Sequence, residues 1–246
     1  MSSRYDCTDA AQREAGLRHA RDALARGELV VLPTDTVHGI AADAFDADAV
    51  SRLLAAKGRG RAMPPPVLVS DARVLDGLAA GVPPTARALA EAFWPGGLTL
   101  VCRAQPSLRW DLGDTGGTVA VRVPDHELAR ELLRSTGPLA VSSANLTGHA
   151  AATTAAEAEA QLGGAVAAYL DDGQPARTDA PPSTIVDATG ERLRVLRRGA
   201  VPTAALRLVA PVDDDDEPAP AAPGGDAGAA GGSAGAAGGG SAEPAG

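Results

Sequence analysis

Lysine is almost missing from this chain: Lys57 is the only one in 246 residues. Aromatic residues make up 2% of the sequence. So few rings leave little to stack on exposed bases, which weighs against a dedicated RNA-binding module. Cysteine is equally scarce. Cys7 and Cys102 form no CxxC pair, so neither a disulfide framework nor a zinc site is expected. The four histidines, His19, His38, His126 and His149, stand at no metal-ligand spacing. His19 and His126 fall on predicted helices and are expected to be solvated, whereas His38 lies beside a polar cluster and could stack on a ligand. No apolar run approaches the length of a membrane span, and the first residues, MSSRYDCTDAAQREAG, lack the apolar core of a signal peptide. A cytoplasmic protein with no membrane partner is the expectation. No P-loop pattern is found, G-x-S-x-G is missing outside the Gly/Ala-rich C-terminal stretch, and there is no repeat at solenoid periods.

The net charge of −9 is concentrated at one end. Of the 31 acids, seven lie from Pro211 onward, where there is no base, leaving 24 against 22 Lys and Arg. The remainder is therefore near neutral, and the overall acidity does not oppose an anionic ligand in a local basic site. After Val212 there is no large apolar residue, so that stretch cannot bury enough surface to offset its ordering entropy. Residues 1–210 are read as the folded catalytic unit and 211–246 as a disordered acidic, Gly/Ala/Pro-rich tail.

The stretch organising the rest is Leu29 to Asp43, LVVLPTDTVHGIAAD. A buried strand ends at Pro33, which donates no hydrogen bond, and a return strand follows Gly39. Thr34, Asp35 and Thr36 then sit at the strand's C-terminal edge, where open α/β sheets bind ligands; the alternative is a hairpin whose polar residues satisfy their own turn. Elsewhere the pattern predicts helices after Asp9, with Gln12 at capping-box spacing, and after Asp46 and Asp125, and at 71–79, 84–92 and 154–162. Strands are predicted at 67–69, 98–102, 118–123, 138–141, 166–170, 184–187 and 193–197, with an irregular loop over 103–117. Helices and strands interleave, but not every connection carries a helix. The expected class is α/β with a twisted, mixed parallel and antiparallel sheet.

Further polar clusters lie at element ends. Lys57, Arg59 and Arg61 alternate with glycines, which let backbone approach a polyphosphate that the cations can grip; they could equally complement a helix C-terminus. Arg122 interrupts the apolar strand TVAVRV, and must pair there with a protein carboxylate or hold a substrate carboxylate bidentately. Ser142-Ser143-Ala144-Asn145 follows the strand PLAV and reads locally as a cap or turn. Ser183, Thr184 and Arg197 add possible polar contacts.

In order, PTDTVHGIAAD, KGR, WPGGLTLV, TVAVRVPDH, SSANLTG, PSTIVD and LRRG resemble the YrdC-like family of threonylcarbamoyl-AMP synthases over about residues 10–205. The resemblance implies a sheet around a large open cavity. It implies synthesis of threonylcarbamoyl-adenylate and pyrophosphate from L-threonine, bicarbonate or CO2 and ATP, with Mg2+ accompanying the ATP. A partner transferase would carry the threonylcarbamoyl group to the adenosine beside the anticodon, with tRNA itself a candidate partner. By the same resemblance, Lys57, Arg59 and Arg61 attend the phosphates, with Lys57 and Arg59 carrying catalysis. Ser143, Asn145 and Arg197 contact the nucleotide, and Thr34, Thr36, Arg122 and Ser183 form the threonine pocket. His38 stands where a Tyr is common, and Pro64-Pro65-Pro66 replaces the usual Lys or Asn, Pro, Leu. A non-catalytic RNA-binding module and a carbamoyl-transfer domain are the competing readings.

Overall fold

Near-continuous apolar runs such as Leu29-Val30-Val31-Leu32 give strands buried on both faces. The computed structural model describes residues 2–176 and 181–215. In chain order the elements are β1 (Ser3–Asp6), α1 (Ala10–Ala25), β2 (Val30–Leu32), β3 (Gly39–Asp43), α2 (Ala47–Ala56), β4 (Val67–Leu68), α3 (Leu75–Leu78), β5 (Ala79–Ala80), α4 (Pro84–Phe93), β6 (Leu98–Ala104), β7 (Thr118–Arg122), α5 (Glu127–Thr136), β8 (Leu139–Ser143), α6 (Ala155–Leu162), β9 (Ala168–Asp171), β10 (Thr184–Asp187), β11 (Leu193–Arg197), α7 (Thr203–Arg207) and β12 (Val212–Asp213). The strands form one open sheet in the order β1-β9-β2-β3-β8-β4-β7-β6-β10-β11-β12, with β5 paired onto β6. The β1–β9, β2–β9, β4–β7, β6–β10 and β11–β12 pairs are parallel. The remaining neighbours, including the β2–β3 and β3–β8 pairs, are antiparallel. This is the mixed α/β sheet expected from the sequence.

The sheet is packed from both sides. Val31 of β2 faces an apolar cluster that includes Ile40, Leu53 of α2 and Leu89 of α4. Val30 and Leu32 face a second cluster with Leu24 of α1 and Leu128 and Leu132 of α5. Each such side chain contributes roughly 1.5–3 kcal/mol when fully buried. Over β6, β7 and β10 the same alternation ends differently. Leu98, Leu100, Cys102, Val119, Val121 and Val186 join the first cluster, whereas Thr99, Arg122 and Ser183 turn to the other face and border a hollow. Cys7 and Cys102 are free and buried, and burial pushes both thiols up to about 11.

Local rules explain most boundaries. Asp9 caps α1 by accepting from the Gln12 N–H, and Asp46 caps α2 through the Ala49 N–H. Gln12 does not close the box on Asp9 but accepts from the Asp6 N–H at 3.2 Å. Asp125 is not a cap: His126 takes that position at α5, without a side-chain cap bond. The helix expected over 71–79 is a 3-10 turn at Ala72–Val74, the four-residue α3 and the start of β5. The strand β1, absent from the sequence-based expectation, pairs along β9 from Ser3 to Asp6. The expected domain boundary at 211 falls short, since Val212–Asp213 pairs with β11 and Val212 is buried. The expected disordered tail, from residue 216 on, lies outside the described residues. No helix among the described residues is long and apolar enough to cross a membrane.

Candidate active site

The hollow holds about 480 Å³, within the usual size for a small-molecule site. One wall is the β2–β3 turn with Thr34 and Thr36, and another is the end of β8 with Ser142 and Ser143. Its floor comes from β6, β7 and β10, and Pro64 to Pro66 form part of the rim. Gly39, at the start of β3, is needed for close approach: a Cβ there would come within 2.5 Å of Val141 Cγ1. Among the described residues, Arg59, Arg122 and Arg197 line the hollow and no carboxylate does.

Arg122 is 6% exposed and spans three segments. Its Nε donates to the Gly96 carbonyl at 2.9 Å, Nη1 to Thr36 Oγ1 at 3.0 Å and Nη2 to Asp35 Oδ1 at 2.6 Å. The protein-carboxylate reading of Arg122 is thus correct, and the guanidinium still borders the hollow. Gly96 follows Trp94–Pro95, which is a cis peptide. Thr34 Oγ1 donates to the Val37 carbonyl at 2.6 Å, so its hydroxyl builds the turn. Arg197 donates from Nε and Nη2 to the Ser183 carbonyl and from Nη2 to Ser183 Oγ at 3.1 Å. Burial, and secondarily the nearby Arg122 charge, lower the pKa of Arg197.

Arg59 donates to Ser142 Oγ at 2.9 Å, while its buried Nε has no partner among the described residues. Lys57 lies at the C-cap of α2, directly behind the Ser143–Asn145 turn. Its ammonium donates to the Asn145 carbonyl at 2.7 Å and to the Ser143 carbonyl. Burial, and then the neighbouring Arg59, pull its pKa down to about 8.

Of the residues expected from the sequence, Thr34, Thr36, Arg59, Arg122, Ser143, Ser183 and Arg197 converge on the hollow. Lys57, Asn145 and Arg61 do not line it. Asn145 Nδ2 is turned to the Leu146 and His149 carbonyls. Arg61 forms a bidentate pair with Asp111 at 2.8 and 3.0 Å on the outer surface. The His38 ring is buried, its nitrogens have no partner among the described residues, and it does not line the hollow. His19 and His126 are bonded to Tyr5 and Asp172 rather than free in solvent. Thr99, Thr115 and Thr118 line the hollow without having been expected there. For Thr99 the signal was present, since in LTLVC it alternates with the core residues Leu98 and Leu100.

The fold and the site together define an α/β protein whose open mixed sheet carries an arginine- and hydroxyl-lined hollow on one face. The chain belongs to the Sua5/YciO/YrdC family, whose model, described as "Telomere recombination", matches residues 22–199. A Mycobacterium tuberculosis protein provisionally named threonylcarbamoyl-AMP synthase is 53% identical over 213 residues, 87% of this chain and 97% of that protein. The threonylcarbamoyl-AMP synthase of Pyrococcus abyssi is 36% identical, covering 78% of this chain and 56% of that protein. The crystal structure of P. abyssi Sua5 complexed with L-threonine is similar with a TM-score of 0.73 at 32% identity, covering 83% of this chain and 59% of that one. This chain therefore spans less than two thirds of the archaeal relative.

Proposed function

We propose that this chain is a threonylcarbamoyl-AMP synthase acting in tRNA modification. The threonine amine attacks the carbon of CO2 and loses a proton, or condenses with bicarbonate and releases water, to give a carbamate. A carbamate oxygen attacks the α-phosphorus of ATP, the bond to the β-phosphate oxygen breaks, and pyrophosphate leaves. No enzyme nucleophile is needed. The protein must bring two anions together and offset charge on the phosphates. The observation that carries this reading is the convergence of Arg59, Arg122 and Arg197 on one hollow that no carboxylate among the described residues lines.

In this reading Arg122 and Ser183 hold the threonine carboxylate, Arg59 and Ser143 attend the nucleotide phosphates, and Arg197 bridges the two halves. Lys57 supports the Ser143–Asn145 turn and adds positive charge behind it. Among the described residues no group of His, Cys, Asp and Glu could hold a metal. Magnesium, which here would neutralise phosphate charge, fits as an ion carried by the nucleotide phosphates and water. A cytoplasmic location and delivery of the adenylate to a tRNA threonylcarbamoyl-transferase complete the proposal.

Incubating the chain with ATP, L-threonine and bicarbonate and examining the products by mass spectrometry tests it. Threonylcarbamoyl-adenylate is expected; AMP or ADP without that product would overturn the assignment.

A further inference from the structure

A serine hydroxyl has one proton and two acceptor positions. At Ser183 both acceptor positions are taken by donors. Thr99 Oγ1 donates to Ser183 Oγ at 2.8 Å, and Arg197 Nη2 donates to the same oxygen at 3.1 Å. No described residue accepts the Ser183 proton. The segment cannot turn away to find an acceptor. The Thr184 N–H donates to the Gly97 carbonyl at 2.9 Å, the Ala200 N–H donates to the Pro182 carbonyl at 2.8 Å, and Thr184 Oγ1 donates to the Val201 carbonyl at 2.7 Å. Gly199 lies against this segment so closely that a Cβ would collide with the Pro182 carbonyl and the Thr184 nitrogen. Ser183 is 8% exposed, and what remains accessible faces the hollow.

We infer that Thr99 is a positioning residue: with Arg197 it fixes Ser183 as a hydrogen-bond donor whose proton points into the hollow, toward a carboxylate oxygen of the amino-acid substrate. This deepens the synthase reading and rests on it. Without Thr99 the Ser183 hydroxyl regains an acceptor position and can rotate, so the donor is no longer preorganised. A carboxylate is the acceptor favoured here because Arg122 and Arg197 supply positive charge on the same side and no described lining residue carries a negative charge.

The test is steady-state pyrophosphate release by the full chain and its Thr99→Val, Thr99→Ser, Ser183→Ala and Thr99→Val/Ser183→Ala variants, with L-threonine and ATP varied separately. Thr99→Val should raise the KM for L-threonine about tenfold, the scale of one hydrogen bond to a charged group, and leave the KM for ATP unchanged. Thr99→Ser should restore the wild-type value. The double variant should be no worse than Ser183→Ala alone. L-threonine titrations by calorimetry should show the same order and do not depend on turnover. A wild-type KM in Thr99→Val, a shift confined to ATP, equal losses in Thr99→Ser and Thr99→Val, or multiplied losses in the double variant would each overturn the inference. Absence of threonine-dependent release from the wild-type chain would instead overturn the synthase reading.

Discussion

At the scale of single residues, Arg122 reconciles two demands. An arginine has five N–H donors, and three are used on Gly96, Thr36 and Asp35. One N–H on each terminal nitrogen remains for a ligand, so pairing with Asp35 does not exclude gripping a carboxylate. Arg122→Ala should destabilise the fold on the order of 3 kcal/mol, because Asp35 loses its partner in a largely buried setting; urea denaturation measures this. Arg122→Lys keeps the charge but not the fork. It should raise the KM for L-threonine while leaving that for ATP near wild type. Lys57 carries a pH signature. Its pKa is about 8 against an ordinary 10.5, so the folded state gives up the proton more readily than the unfolded chain. Between pH 8 and 10.5 the unfolded state binds more protons, and the Lys57 contribution to stability rises with pH. Activity should move the opposite way, because the positive charge behind the Ser143–Asn145 turn is lost above pH 8. A pH profile of kcat/KM for ATP should fall above about 8; a profile flat to pH 10 would contradict a role for that charge.

At the scale of elements, two loops act as one wall. The loop after α2 and the loop before β7 are joined by the Arg61–Asp111 pair and by the Asp114 N–H donating to the Arg61 carbonyl at 2.9 Å. Gly113 has φ +104, and a Cβ there would stand 2.7 Å from the Arg61 carbonyl. Both loops contribute to the hollow, through Pro64 to Pro66 and through Leu112 and Thr115. Arg61→Ala should cost little stability, under about 1 kcal/mol for an exposed pair, yet increase cleavage of these loops in limited proteolysis and raise the KM for ATP. Arg61 is the instructive case of what sequence reasoning misses. In KGRGR its type and spacing suit a phosphate as well as Arg59 does, and the partner that claims it lies 50 residues away. Elements are legible where periodicity and caps agree, as in α1, α2 and the β2–β3 hairpin. They are illegible where pairing with distant chain makes the strand, as in β1 and β12, or where a short segment has too few turns to show a period, as in α3.

At the scale of the whole molecule, an open sheet is covered by helices on both faces except where the hollow interrupts one of them. The convergence of the polar clusters there is readable from motif order, because each cluster follows a strand or helix end. The division between lining and supporting residues is not, since Lys57, Ser143 and Asn145 meet at one turn and only Ser143 lines the hollow. The folded unit extends past the expected boundary. Ending the chain after Ala210 removes buried Val212 and the Asp213 and Asp214 partners of Arg192 and Arg198. That truncation should lower Tm on the order of 5 °C, from roughly 1.5–3 kcal/mol of lost burial at about 2–4 °C per kcal/mol. The central claim is that one hollow holds an amino acid beside a nucleotide, and pyrophosphate release with each substrate withheld in turn tests it most directly. Release that requires ATP, L-threonine and bicarbonate together is the predicted result; release that persists at the same rate without L-threonine would contradict the account.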